Sequence, residues 1–475
     1  MDIRVKKDTP LTIENLNSWI LEFEKTEKVR RELLRAFYLN SNNSLKLPFA
    51  KKLVLTSASA TVGDGVTFSE PQGLNEKQKA LYDKLLELYD NQQMITHDKK
   101  MVIDMCATST AYELIYMSDD EVPVPKTAKI LSENAFIVFD NTVEQNSLYA
   151  VWFEKYKQDN KERILVNFAD TQNTYMIDCE KSLLKQQALP NGVPHFAGRV
   201  PLSKGWNNDE EQADFEQVIE LIKDRSTLHD LTLADTKKIV KNILALVNAQ
   251  LAGKTKDEKS ASLSDIGETP VLELNNPNPN VPASAYMLSK NENYGMIDSF
   301  GKDVDSKIYD LTMIPDLSSE TFAGNVTGVA LELKLLPFKE LVKLKEENLR
   351  KLYRRRNKIY ANMLTQAVDI DGNLIESDYE WFNTDLIEIT VHRNWTKNLV
   401  EIATMIATLK SSGLYSDKYL TNLMPDADFE AEKEQKLVEA KARQNETITA
   451  TDPNNFSAEN LASLFRSNLG ADNGA

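Results

Sequence analysis

The chain has 475 residues and a formal net charge of −16, from 72 Asp and Glu against 56 Lys and Arg. That length calls for two to four domains rather than one core, and 41% hydrophobic with 27% charged residues excludes wholesale disorder. The acidic balance argues against wrapping nucleic acid over the whole surface, which needs clustered Lys and Arg, but leaves local contact open.

In chain order, "MDIRVKKDTPLTIENLNSWI" has no apolar run of the signal-peptide kind, and no stretch approaches the ~20 apolar residues of a membrane span. A soluble, intracellular protein is expected. Residues 11–40 read as helix, with Leu16, Trp19, Ile20, Phe23, Val29, Leu33 and Leu34 at helical spacings, until "SNNSLKLP" breaks it. Residues 50–150 read as mixed α/β. "EKQKALYDKLLELYDNQQM" is an amphipathic helix, whereas "AFIVFDNT", "SLYAVWFEKY" and "RILVNFADTQNTYMID" alternate as strands. The Pro, Gly and Asn of Leu189–Glu210 predict a hinge.

Phe215, Val218, Ile219, Ile222 and Leu228 share one face of a long helix. The next passage carries Pro270, Pro277, Pro279 and Pro282, a density no helix survives, so a small β-rich excursion is expected there. Helix resumes with Met296, Phe300, Val304 and Ile308 four apart. The stretch "IPDLSSETFAGNVTG" (314–328) then leads into the longest helical pattern of the chain, about 55 Å at ~1.5 Å per residue, with a bend expected at Pro337. "DLIEITVHRN" alternates as a strand, and a following helix is closed by Gly413. Short helices continue to about Gln444, and the tail is polar.

Catalytic signatures are missing. Gly324 and Gly328 are followed by Val329 and Ala330, not by the Lys and Ser/Thr of a phosphate-binding loop. His97, His195, His229 and His392 are scattered. Cys106 and Cys179 have no close partner, so neither zinc spacing nor a disulfide framework is present, and a reducing compartment fits. Acidic pairs such as Asp303/Asp305 and Asp426/Asp428 are what 72 carboxylates give by chance, although a metal-dependent nuclease built on scattered carboxylates stays as the alternative. No cofactor and no metal is expected. One charge feature stands out: Lys339, Lys343, Arg350, Arg354 and Lys358 form a stripe on the long helix, with Arg355 and Arg356 beside it. A solvated face, an acidic neighbouring subunit and nucleic acid are all possible partners for it, and the interleaved Glu340, Glu346 and Glu347 weaken the last.

The stretch from Ile314 resembles the most distinctive segment of the siphophage-type portal proteins, the head-to-tail connectors of tailed bacteriophages. Pro315, Asp316, Phe322, Gly324, Asn325, Gly328 and Ala330 match its pattern, with Thr327 where Ser is usual. Val138–Asn141 looks like the family's strand core. Gly198, Val200, Pro201, Asn207, Asp214, Phe215, Glu216, Leu221 and Ile222 look like its junction into the first long helix, and "EITVHRNWTKNLVEIATMIATLKSSGLYSD" resembles its later strand, helix and turn. The likeness covers most of residues 50–440 in family order. Departures are "LIKDR" (221–225) and "ALELKL" (330–335).

The resemblance implies an α+β, mainly helical portal fold. Residues 1–210 would be the wing, 211–240 and 291–312 two stem helices, and 241–290 a β-rich clip. Residues 313–328 would be the tunnel loop, 329–394 a long helix with wing strands, 395–445 crown helices, and 446–475 a flexible tail. It implies a non-enzymatic ring, of twelve subunits as in the family, at one capsid vertex of the virion, made in the host bacterial cytoplasm. Double-stranded DNA would pass through its channel during packaging and ejection. Terminase, major capsid and scaffolding proteins and a head-completion adaptor would be its partners, with no membrane. The loop residues Ser318, Ser319, Phe322, Gly324, Asn325, Thr327 and Gly328 would face the DNA. The stripe Lys339, Lys343, Arg350, Arg354 and Lys358 would join neighbouring subunits.

Overall fold

A computed structural model describes residues 2–40, 45–63, 65–120, 123–239, 243–248, 250–251, 274–275, 277–278, 280–282, 284–288, 294–318, 328–366, 378–392, 399–411, 413, 416–422, 433 and 435–437. The chain divides into two units, Met1–Asn394 and Trp395–Ala475. The described residues mix helix (53%) and strand (21%), an α+β composition.

In the first unit, strand β1 (Ile3–Val5) precedes helix α1 (Ile13–Phe23), whose start is capped by Thr12 Oγ1 accepting the Asn15 N–H at 3.2 Å. A single π turn (Glu24–Lys28) joins α1 to α2 (Val29–Leu39), and Asn40 ends the run in the left-handed conformation. That turn inserts an extra residue and rotates the register. Leu16, Trp19, Ile20, Phe23 and Leu34 are buried as their spacing predicts, but Glu27 within the turn and Arg31 past it take inward positions, and Val29 and Leu33 face solvent.

Helices α3 (Phe49–Val62), α4 (Glu76–Asn91) and α5 (Met94–Thr108) follow, with strand β2 (Val66–Ser69) between the first two. Asn75 and Gln78 form a reciprocal capping box at the start of α4. Strands β3 (Thr110–Met117), β4 (Pro125–Ile130), β5 (Ala135–Asp140), β6 (Ser147–Gln158), β7 (Lys161–Ala169), β8 (Asn173–Glu180), β9 (Val193–Pro194) and β10 (Leu202–Trp206) then build two sheets. One has the order β1-β5-β6-β7-β8-β9, the other β10-β3-β4. The alternation of β5 to β8 places Phe136, Val138, Val151, Phe153, Ile164, Val166 and Phe168 on one face, and the apolar face of α1 packs against them. The passage 189–210 is not a free hinge. It supplies β9 and β10, and Ala197, Val200 and Leu202 are fully buried, so its apolar residues outweigh its turn formers.

Helices α6 (Ile219–Ile239) and α7 (Tyr294–Thr312) lie antiparallel, joined by an Arg225–Asp305 ion pair with bonds of 2.8 and 3.1 Å. The chain between them is β-rich where described. Strand β11 (Ile243–Val247) pairs antiparallel with β14 (Ser284–Leu288), and β12 (Gln250–Leu251) with β13 (Leu274–Asn275). On α7 the inner half of the expected face is buried at Val304 and Ile308, while Met296 and Phe300 are exposed. Helix α8 (Gly328–Thr365) runs 38 residues with Pro337 inside it, and strand β15 (Glu388–Val391) pairs with β2. The second half of α8 buries Ile359, Tyr360 and Met363 against Leu81 and Leu85 of α4 and against Phe382 and Ile387.

The second unit holds helices α9 (Leu399–Ser411) and α10 (Asp417–Asn422). As expected, Gly413 follows α9 at φ +67°, its N–H bonded to the Lys410 carbonyl at 3.2 Å. Among the described residues no helix is long and apolar enough to cross a membrane.

Candidate functional site

The segment that enters α8 is held at its first residues. Ile314 is buried at the end of α7, and Asp316 turns the chain by accepting the Ser318 N–H at 3.2 Å and the Ser318 hydroxyl at 2.6 Å. Lys52, on α3, donates to the same Asp316 oxygen at 2.9 Å and to Ser318 Oγ at 3.3 Å. The Lys52 ammonium lies 5.1 Å from the centre of the Tyr309 ring, whose edge packs on Phe49. Burial alone would raise the Asp316 carboxyl; the bonds from Ser318 and Lys52 outweigh it and hold the group below its ordinary value. Of the loop positions predicted from sequence, Ser318 is exposed beside this clamp and Gly328 is the first residue of α8. Ser319, Phe322, Gly324, Asn325 and Thr327 lie outside the described residues.

The basic stripe engages acids of its own chain. Lys339 reaches Glu332 at 3.4 Å, Lys343 reaches Glu340 at 3.9 Å, and Arg350 reaches Glu346 at 3.9 Å. Lys358 pairs with Asp385, and Arg354 is exposed. Long, half-exposed pairs of this kind contribute about 0–1 kcal/mol each, so most of the stripe could exchange partners at little cost.

The most buried cations on α8, Lys345 and Arg356, lie off the stripe. Lys345 is fully buried among Asp214 (2.5 and 2.7 Å), Ser57 Oγ (2.6 Å) and Cys106 Sγ (3.3 Å), which together use its donors. Burial would lower its pKa, but the Asp214 carboxylate outweighs that and raises it. The same Asp214 accepts from Asn207 Nδ2 at 2.7 Å, and its N–H bonds to the Cys106 carbonyl. Burial, with Asp214 adding to it, pushes the Cys106 thiol up to about 12.

Eleven residues on, Arg356 is fully buried. It donates Nη2 to Asp98 at 2.7 Å and to Glu113 at 2.6 Å, with Nε on Glu113 at 3.1 Å. His97 Nε2 stands 3.1 Å from Glu113, and the guanidinium packs over the rings of Tyr353 and Tyr89. Burial would raise both acids. At Glu113 the Arg356 charge and His97 win and hold the carboxyl to about 2, whereas at Asp98 burial wins and its pKa is raised. The signal was present in the sequence: Lys345 and Arg356 fall in phase with Val342, Leu349, Leu352, Tyr353 and Ile359, on the buried face of α8.

These centres brace one helix against α3, α5 and β3. Asp214 and Asn207 come from the junction motif, so that motif reaches into the core beneath α8. Likewise Asp140 of the strand-core motif closes its own turn, accepting from Thr142 Oγ1 at 2.6 Å and the Asn146 N–H at 3.1 Å. No group of three or more metal-ligating side chains occurs among the described residues. Residues 15–447 of the chain match the family described as phage portal protein, SPP1 Gp6-like. No curated protein matches the chain.

Proposed function

The chain belongs to the phage portal protein family, SPP1 Gp6-like, and on that premise we propose that it forms the ring at one capsid vertex through which the genome is packaged and ejected. The match over residues 15–447, nearly the whole chain, carries this reading. In it, residues 1–210 and 329–394 make the wing, with α6 and α7 as stem helices. The β-rich excursion at 241–290 is the clip that docks terminase and then the head-completion adaptor. The antiparallel pairing of α6 and α7 around nested strand pairs supports that division. Residues 313–328 form the tunnel loop and 395–445 the crown inside the capsid; the tail expected at 446–475 lies outside the described residues.

Twelve copies around double-stranded DNA, with no catalysis in the ring itself, complete the reading. Major capsid and scaffolding proteins surround the ring in the virion. A loop ringed around moving DNA works best with small, uncharged residues, because a standing positive charge on phosphates acts as friction. Ser318, Ser319, Asn325 and Thr327 offer exchangeable hydrogen bonds, and Gly324 and Gly328 lower the cost of changing backbone angles. Phe322 adds a large apolar side chain to that set.

Negative-stain electron microscopy of the purified protein at moderate salt, with native mass in parallel, tests this. Rings with a central hole wide enough for duplex DNA are expected. A protein that stays monomeric even with its scaffolding protein present overturns the assignment.

A further inference from the structure

Beside the long helix lies a surplus of positive charge that nothing above accounts for. Arg355, on α8, donates Nη2 to the carbonyls of Val200 (2.9 Å) and Leu202 (3.3 Å) and to Ser147 Oγ at 3.2 Å. Those bonds fix its guanidinium against the start of β10, which begins three residues after Arg199. Arg199 itself forms no hydrogen bond or ion pair among the described residues, and neither does Arg355 Nη1. The Nε atoms of both side chains are buried without a partner, although each residue keeps part of its surface at solvent.

Each guanidinium feels the lack of an acid. Burial lowers the pKa of Arg355 to about 10 and repulsion from Arg199 adds to it; burial lowers that of Arg199 too. The acid that acts on Arg199 is Asp385, and Asp385 is already held by Lys358. Asp385 is thus shared between Lys358 and Arg199, and the acid that acts on Arg355, Glu113, is already held by Arg356. Two planar forks that are partly desolvated and short of acceptors, one of them held in place by its own bonds, suit an oxyanion, which takes parallel N–H bonds.

We propose that Arg199 and Arg355 form an oxyanion-binding site, filled in the assembled protein by a side-chain carboxylate of a neighbouring copy. The occupant follows from charge and symmetry. A chain of net charge −16 presents mostly acid to its neighbour, and a closed ring of identical subunits meets through two different faces, so a basic recess on one face can take an acid from the other. This second part rests on the ring reading; the site itself does not. The stripe is the poorer candidate for a built site, because its cations are half-exposed or exposed, whereas the Nε atoms of Arg199 and Arg355 are buried.

The test compares full-length wild type with Arg199→Gln and Arg355→Lys, the latter keeping the charge but losing the fork. Below the concentration of assembly, inorganic phosphate is exchanged for chloride at equal ionic strength and thermal unfolding is followed. Phosphate stabilises proteins generally, so the readout is the excess over the variants, expected at about 2 °C or more. Equal responses in all three proteins overturn the site. In the assembled ring the excess should vanish, and Arg199→Gln should raise the concentration for half-assembly about tenfold, equivalent to ~1.4 kcal/mol. A ring that still shows the excess takes free phosphate and overturns the neighbour's carboxylate as occupant. If wild type never assembles, the ring reading and the occupant fail together, while the phosphate comparison still decides the site.

Discussion

The Lys52 ammonium stands 2.9 Å from the Asp316 carboxylate across 264 residues of chain, and so ties helix α3 to the first turn of the segment that leads into α8. The bond sits at the boundary between the buried Ile314 and the exposed Ser318. Whatever the following residues do, they do it from a fixed origin.

Asp316→Asn should therefore matter more for function than for folding. The pair is partly exposed, so its loss costs about 0–1 kcal/mol in denaturant unfolding. Asparagine still accepts from Ser318 but no longer holds Lys52 by charge. We expect DNA packaging in a reconstituted capsid to fall several-fold with ring assembly intact; packaging at the wild-type level would mean the loop needs no fixed origin.

Gly328 opens α8, and proline is tolerated in the first turn of a helix. Gly328→Pro should leave the helix and the ring in place while restricting Thr327 to extended conformations. The expected result is impaired packaging at unchanged thermal stability. A yield of packaged DNA equal to wild type sinks the idea that this end of the loop must change shape.

At the Arg356 centre the two acids should respond differently. Glu113 is held low, so its stabilisation is complete above the unfolded pKa near 4.5 and is lost as pH falls through the folded value of about 2. Asp98 is raised, which makes its ionised form a cost at neutral pH that is relieved as pH falls toward its unfolded value of 3.8. Glu113→Gln should cost roughly 3–5 kcal/mol at pH 7 and flatten the loss of stability between about pH 4.5 and 2. Asp98→Asn should cost clearly less. Urea unfolding across that pH range checks both, and equal costs would contradict the opposed shifts.

Lys345→Met strands the buried Asp214 carboxylate and should cost about 3–5 kcal/mol. Adding Asp214→Asn should recover part of that loss, a coupling that a double-mutant cycle reads directly. Strictly additive costs would show that the two charges do not act as a pair.

Much of the architecture was legible before any coordinates. Period-two alternation marked β5 to β8 because one face of their sheet is buried. Proline density marked the excursion between α6 and α7, and Gly413 marked the end of α9 because only a left-handed residue closes it that way. The passage 189–210 misled because its turn formers alternate with Ala197, Val200 and Leu202, whose burial depends on partners far away in the chain.

The sequence by itself determined the family and much of the order of helices and strands, since these rest on local periodicity and a short ordered motif. Tertiary structure alone decided what meets the buried cations of α8. Lys345 and Arg356 fall in phase with the apolar face of their helix and so turn inward, but that phase does not say what receives them. Their partners are Asp214, Asp98 and Glu113, which stand more than a hundred residues away and are brought beneath α8 by the packing of α5, β3 and the strand junction. A buried ion is tolerable only where its counter-ion arrives with it, and that is a property of the fold and not of the helix that carries it.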